Sequence, residues 1–203
     1  MPTIVSGKLV DSKVTQKVYS KLHKGALNTV HGIIVHQTGA PTAQHTFNSY
    51  SNAGANGAHF LIDKQGVIYQ TALTNQITYH VGKLQSRCLQ TKSCDKIDIE
   101  LATKILFAKG ESFALRVKKL NTHEQAKSYP DRYPRNNDAI GIEIVGSFDK
   151  AKQAFETVNV KQNASLKWLV DMLIKLLDLN SSDVFSHPEV SRKNPTEAST
   201  AAW

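Results

Sequence analysis

Two hydrophobic periods divide this chain. A crowd of β-branched apolar residues marks a buried strand, and apolar residues returning about every 3.6 positions mark a helix face. Val30-His31-Gly32-Ile33-Ile34-Val35 is a run of the first kind, and it stops at His36-Gln37-Thr38-Gly39. A histidine is therefore expected where a core strand ends. Beyond Pro41-Thr42-Ala43, the spacing of Phe47 and Tyr50 predicts a short helix that closes near Gly54 and Gly57. Ala58 to Asp63 and Val67 to Gln70 flank Lys64-Gln65-Gly66, which reads as a hairpin because Gly66 can adopt the positive φ that the turn needs. Ile77 to Gly82 reads as a further strand-like fragment. Ala139 to Gly146 again has the composition of a core strand, with one carboxylate, Glu143, among apolar neighbours. Such a charge needs a partner or a purpose. Leu166, Leu169, Val170, Leu173, Leu176 and Leu177 keep the helical period, and Asn180 is the expected stop.

Between the strand-like fragment and Ala139 the pattern differs. Two helical pieces are expected around Gly110, and the prolines of Tyr129-Pro130-Asp131-Arg132-Tyr133-Pro134 forbid a continuing helix. Lys104 to Arg135 carries eight Lys/Arg against three Asp/Glu, most of the chain's net charge of +8. This reads as a basic helical and loop insertion, around 85–137, in a single domain covering 1–203. A chain of 203 residues with 40% hydrophobic and 21% charged residues can bury a sizeable core, and these values exclude a disordered, collagen-like or coiled-coil architecture.

The charge favours anionic surroundings such as nucleic acid, anionic lipid or a bacterial wall, and does not choose among them. No aromatic-basic ribonucleoprotein motif or zinc-finger spacing supports a nucleic-acid partner. No apolar run approaches the roughly 18 residues of a membrane span, and Met1 to Val10 lacks the pattern of a signal peptide. The expectation is a soluble chain without an export signal or membrane insertion. Cys88 and Cys94 read equally well as a small loop clip in an oxidising compartment or as two free thiols.

Candidate chemistry follows from element ends. His36 closes a strand, and His187, in Phe185-Ser186-His187-Pro188, follows the long helix. Glu197 lies ten residues further on, a loop length that can bring a carboxylate back to whatever His187 holds. Two neutral imidazoles and a carboxylate suit a hydrolytic zinc, with a fourth position left for water. Each residue also has an ordinary reading: His36 as a strand-end donor, His80 as half-exposed in a hairpin, His59 as facing the far side of its sheet, and Glu143 as a structural ion-pair partner.

Five segments in order, IIVHQTG at 33–39, GAHFLIDKQGVIYQ at 57–70, YHVG at 79–82, NNDAIGIEIVG at 136–146 and SHPEVSRKNPTE at 186–197, resemble the zinc-dependent N-acetylmuramoyl-L-alanine amidases of the type 2 amidase family, relatives of phage amidase lysins and peptidoglycan recognition proteins. The resemblance runs from about Val30 to Glu197. It implies an α/β fold with a mixed central β-sheet flanked by α-helices, Zn2+ as cofactor, and peptidoglycan or a muropeptide as substrate. On it, His36 and His187 match the first two metal ligands, and Glu197 falls where the family usually has Asp or Cys. Glu143 matches the carboxylate that serves as base. Pro195 stands where the family often carries an oxyanion-stabilising Lys, which leaves His80, slightly preferred, and Lys193 as candidates for that role.

The resemblance implies hydrolysis of the amide joining N-acetylmuramic acid to L-alanine. Its biological uses include cytoplasmic muropeptide recycling, phage lysis and antibacterial effectors of type VI secretion. The basic region and a possible cysteine clip lean toward an effector made in the cytoplasm and delivered by a non-Sec route to a target's periplasm. Such an effector implies a cognate immunity protein. A non-catalytic peptidoglycan-binding module would keep the groove without the ligand set.

Overall fold

The structure is a computed structural model that describes residues 2–203; Met1 lies outside the described residues. Near its start, Ser6 (φ 49°) and Gly7 (φ 78°) form a two-residue left-handed turn between β1 (Thr3–Val5) and β2 (Lys8–Val10), which pair antiparallel as a separate small sheet. That pair of positive φ values is what a tight hairpin requires. Next come β3 (Val14–Gln16), β4 (Gly32–Gly39), α1 (Ala43–Tyr50), β5 (Phe60–Ile62) and β6 (Ile68–Gln70). The basic segment holds α2 (Arg87–Thr91), α3 (Lys96–Leu106) and α4 (Phe113–Ala126). The chain closes with β7 (Ala139–Asp149), β8 (Ala154–Phe155), α5 (Val160–Leu177), β9 (Val184–Ser186) and α6 (His187–Val190).

The main sheet has strand order β3-β6-β5-β7-β4-β9, with β8 paired to the far end of β7. It is mixed: β5 and β6 are antiparallel, while β7 runs parallel to both β5 and β4, and β4 runs parallel to β9. Its two faces are chemically different because successive side chains alternate. Ile33 and Val35 of β4, Phe60 and Ile62 of β5, and Ile140, Ile142 and Ile144 of β7 form one apolar layer against Leu166, Leu169, Val170 and Leu173 of α5. Each of these leucines contributes roughly 1.5–3 kcal/mol by its burial. The opposite face carries Ile34 and His36, His59 and Leu61, and Gly141, Glu143 and Val145. It is covered partly by apolar packing of Ile34 with Tyr133, Val81, Leu84, Phe185 and Val190. Reactive groups and oily core thus share strands but not faces.

Helix α5 starts at a capping box, in which Asn159 Oδ1 accepts from the Gln162 N–H at 3.0 Å and Gln162 Oε1 accepts from the Asn159 N–H at 3.1 Å. It ends at Asp178 (φ 54°), not Asn180, because the left-handed residue that stops it comes two positions earlier. The hairpin around Gly66 forms as expected, with Asp63 Oδ1 accepting from the Gln65 and Val67 N–H groups at 2.9 Å each.

Three expectations change. Strand β4 continues through His36 to Gly39, so His36 stands inside the strand rather than at its end. Residues 77–82 form no strand: the N–H groups of His80 and Val81 go to the Asn136 side chain, and Gly82 has φ 80°. The short strands β1 to β3 lie in a segment where the apolar pattern gave no signal.

Cys88 and Cys94 are joined in a disulfide between α2 and the start of α3. Lys127 ties α3 to α4 through Asp98 (2.8 Å) and Glu124 (3.0 Å), and His123 adds a contact to Asp98 at 3.0 Å. His59 is fully buried, donates from Nε2 to the Gln76 carbonyl at 2.8 Å and accepts the Gly141 N–H on Nδ1 at 3.0 Å. Burial lowers its pKa to about 4, so it is a neutral structural residue that fills its side of the sheet.

Candidate functional site

Strand register assembles the site. In the parallel pair β4/β7, His36 lies opposite Glu143, and on the other side of β4, Val35 lies opposite Ser186. The next residue after Ser186 is His187, the first residue of α6, so its ring arrives beside His36 with centroids 4.1 Å apart. This is the carboxyl end of β9 and a position far along β4, the edge of a parallel sheet where ligands commonly bind.

Glu197 comes from the C-terminal tail, which Gln37 fastens to the sheet. Gln37 Oε1 accepts from the Ala198 N–H at 3.1 Å, and its Nε2 donates to the Glu156 carbonyl at 2.6 Å. The amide packs directly on Gly146, where a Cβ would lie 2.0 Å from Gln37 Nε2 and would have to displace it. The Asn194 carbonyl accepts the Glu197 N–H at 3.0 Å and fixes the last turn.

His36, His187 and Glu197 are all buried, and one ligand atom from each falls within 4.8 Å of the others. Glu197 Oε1 lies 2.7 Å from His187 Nδ1 and 3.7 Å from His36 Nδ1. The remaining ring nitrogens are already engaged: His187 Nε2 donates to the Val81 carbonyl at 2.9 Å, and His36 Nε2 meets His80 Nδ1 at 2.9 Å. A carbonyl oxygen can only accept, so His187 Nε2 carries the hydrogen and Nδ1 presents its lone pair toward the carboxylate. Two lone pairs cannot face each other at that distance without a positive charge between them, whether a proton or a metal cation. Two imidazoles and a carboxylate, with outer nitrogens already hydrogen-bonded, fit zinc by donor chemistry and by support.

The electrostatics point the same way. Burial, aided by neighbouring His187, lowers the His36 pKa to about 4 and keeps its imidazole neutral, the state that binds a metal. Glu197 is pushed up by burial, but the hydrogen bonds from His187 and His36 outweigh that and hold it at about 2. A neutral His36 follows from its burial, and an ionised Glu197 from its contacts with His187 and His36.

Glu143 is half-buried, yet its Oε2 is sealed from solvent and has no hydrogen-bond partner among the described residues. Burial first, and then the charge of Glu197, raise its pKa to about 8, with Lys193 opposing. A carboxyl poised near neutrality beside a ligand set is suited to moving protons. Glu143, the three candidate ligands, Tyr79, His80, Asn136 and Lys193 line a groove of about 470 Å³. A separate cavity of about 810 Å³ opens beside the disulfide in the basic segment and shares none of these residues.

Of the two candidates for oxyanion stabilisation, Lys193 is exposed on the groove rim. His80 has its Nδ1 committed to His36, and its Nε2 is buried without a partner among the described residues. Sequence reasoning quoted Asn136 and Val81 inside motifs but gave them no role, and it passed over Gln37 although that residue directly follows the first candidate ligand.

Residues 26–197 match the family model described as N-acetylmuramoyl-L-alanine amidase. Among curated proteins no sequence matches the chain. Solved structures with the same fold include the catalytic domain of XlyA, with 19% identity and a TM-score of 0.53 over 91% of this chain and 88% of that one. A selenomethionine derivative of AmpD aligns with 14% identity and a TM-score of 0.54 over 94% and 88%. The endolysin N-acetylmuramoyl-L-alanine amidase LysCS from Clostridium intestinale URNW aligns with 17% identity and a TM-score of 0.51 over 91% and 86%. At these identities the structures establish a shared mixed-sheet architecture.

Proposed function

The chain belongs to the N-acetylmuramoyl-L-alanine amidase family, and on that ground we propose that it is a zinc-dependent hydrolase of the amide between N-acetylmuramic acid and L-alanine in peptidoglycan. The observation that carries the zinc reading is the convergence of His36, His187 and Glu197 within 4.8 Å, with Glu143 opposite His36 in register. A zinc ion held by these three side chains supplies Lewis acidity to the lactyl carbonyl and makes water acidic enough to attack near neutral pH.

The chain's own residues do the rest. Glu143, which lines the groove, takes the proton of the attacking water on its carboxylate and returns it to the departing L-alanine amine. Lys193 holds its ammonium at the rim, where it faces the negative charge that builds on the carbonyl oxygen. This assignment departs from the sequence preference for His80, whose Nδ1 is already engaged with His36.

Mass spectrometry of purified sacculi after digestion tests the reading. Stem peptides with a free L-alanine amine should be released, and a chelator should stop their release. Release of disaccharide fragments with peptides still attached would overturn it. In the same assay, Lys193→Ala should slow release by about 10²- to 10³-fold with zinc retained; an unchanged rate would remove Lys193 from the mechanism.

The use we favour is as an antibacterial effector delivered to the periplasm of a target cell, with an immunity protein that plugs the groove. The Cys88–Cys94 bond suits an oxidising compartment, and the cationic 104–135 stretch suits an anionic wall polymer. Expression directed to the periplasm of a Gram-negative host should lyse it, while cytoplasmic expression should be tolerated. Equal tolerance of both would favour a recycling amidase.

A further inference from the structure

We propose that the dipeptide His80-Val81 orients both histidines of the candidate metal set, and that Asn136 is the positioning residue that holds this dipeptide in place. The inference rests on the zinc reading above and concerns how the ligands are kept ready.

Adjacent residues of an extended segment present groups in different directions, and this segment uses both. The His80 ring places Nδ1 at 2.9 Å from His36 Nε2, and the Val81 carbonyl lies at 2.9 Å from His187 Nε2. The Val81 carbonyl can only accept and so fixes the hydrogen on His187 Nε2, while the His80 contact gives His36 Nε2 an acceptor once a metal takes His36 Nδ1. One short peptide therefore supports two ligands that come from distant parts of the chain.

The dipeptide has no strand neighbour to hold it. Its N–H groups instead both donate to Asn136 Oδ1, from His80 at 2.9 Å and from Val81 at 2.9 Å. A single side-chain oxygen thus replaces a stretch of sheet ladder. The ring of His80 is steadied from the other side by Gly141, where a Cβ would sit 2.8 Å from His80 Nδ1 and 2.9 Å from Cγ. The Ala139 backbone also lies beside this ring, but the hydrogen bond of good geometry that the ring makes among the described residues is the Nδ1 contact to His36. A purely structural residue at that position would be better apolar.

Zinc affinity measured by competition with a chromophoric chelator tests the brace, and the absorption spectrum of the cobalt-substituted protein reports ligand geometry. Asn136→Leu should weaken zinc binding by about 10- to 100-fold, the range for losing an outer partner of a ligand. Asn136→Asp keeps the acceptor oxygen and should stay within a few-fold of the parent. A second pair guards against misfolding: His80→Asn can keep an acceptor near the Nδ1 position and should bind more tightly than His80→Leu. If the parent binds one zinc and Asn136→Leu binds it as tightly with the same cobalt spectrum, the brace is overturned while the zinc reading stands. If the parent itself binds no zinc, both fall.

Discussion

Replacing Glu143 with glutamine abolishes turnover, by about 10²- to 10⁴-fold, the contribution expected of a positioned general base, while zinc remains bound at one equivalent. Glutamine has the shape of glutamate but cannot take a proton. The change is informative because Glu143 makes no bond through Oε2, so an amide there loses no structural partner. Burial and Glu197 hold this carboxyl near pKa 8, so in the metal-free protein it is mostly neutral at pH 7 and a neutral amide in its place should melt no lower than the parent. Peptide release from sacculi, metal content and thermal unfolding on the same preparation check all three parts. Wall hydrolysis at the parental rate would end the assignment of Glu143 as the base.

The second large effect is expected from His187→Ala, which should take zinc stoichiometry from one toward zero and silence the enzyme. It should also destabilise the metal-free protein. Glu197 is buried, and its shortest contact is the 2.7 Å one to His187 Nδ1. Removing that partner leaves a buried carboxylate short of its nearest polar contact, at a cost of about 1–3 kcal/mol. Elemental analysis and denaturant unfolding with chelator present separate the two consequences. Stoichiometric zinc in this variant would show that the donor set is wrongly drawn. A lost metal with unchanged unfolding would show that the tail carrying Glu197 relaxes and rehydrates its carboxylate.

What the sequence made legible follows the kind of force involved. The strands carrying His36 and Glu143 announce themselves because burial on both faces demands unbroken β-branched residues, and α5 does so because its leucines keep one face. His187 and Glu197 were readable as candidates from the ordered motifs, although their approach to His36 depends on strand pairing that no local window contains. The contacts that tune the site left no trace of that sort. Asn136 reaches back more than fifty residues to two backbone N–H groups, and Gln37 grips a tail at the other end of the chain. Single hydrogen bonds between distant residues have no period. The hairpin of β1 and β2 is different, because its strands of three residues each are too short to carry an apolar period.

The pairing of His36 with Glu143 has a bearing on which insertions and deletions the chain can tolerate. Side chains on a strand alternate between the groove and the oily layer under α5. A length change of one residue just ahead of either group would rotate it into that layer and exchange it for an isoleucine or valine. A change of two would keep the correct side and only slide the group along. Parity, more than distance, is the tolerance to which these two strands are built.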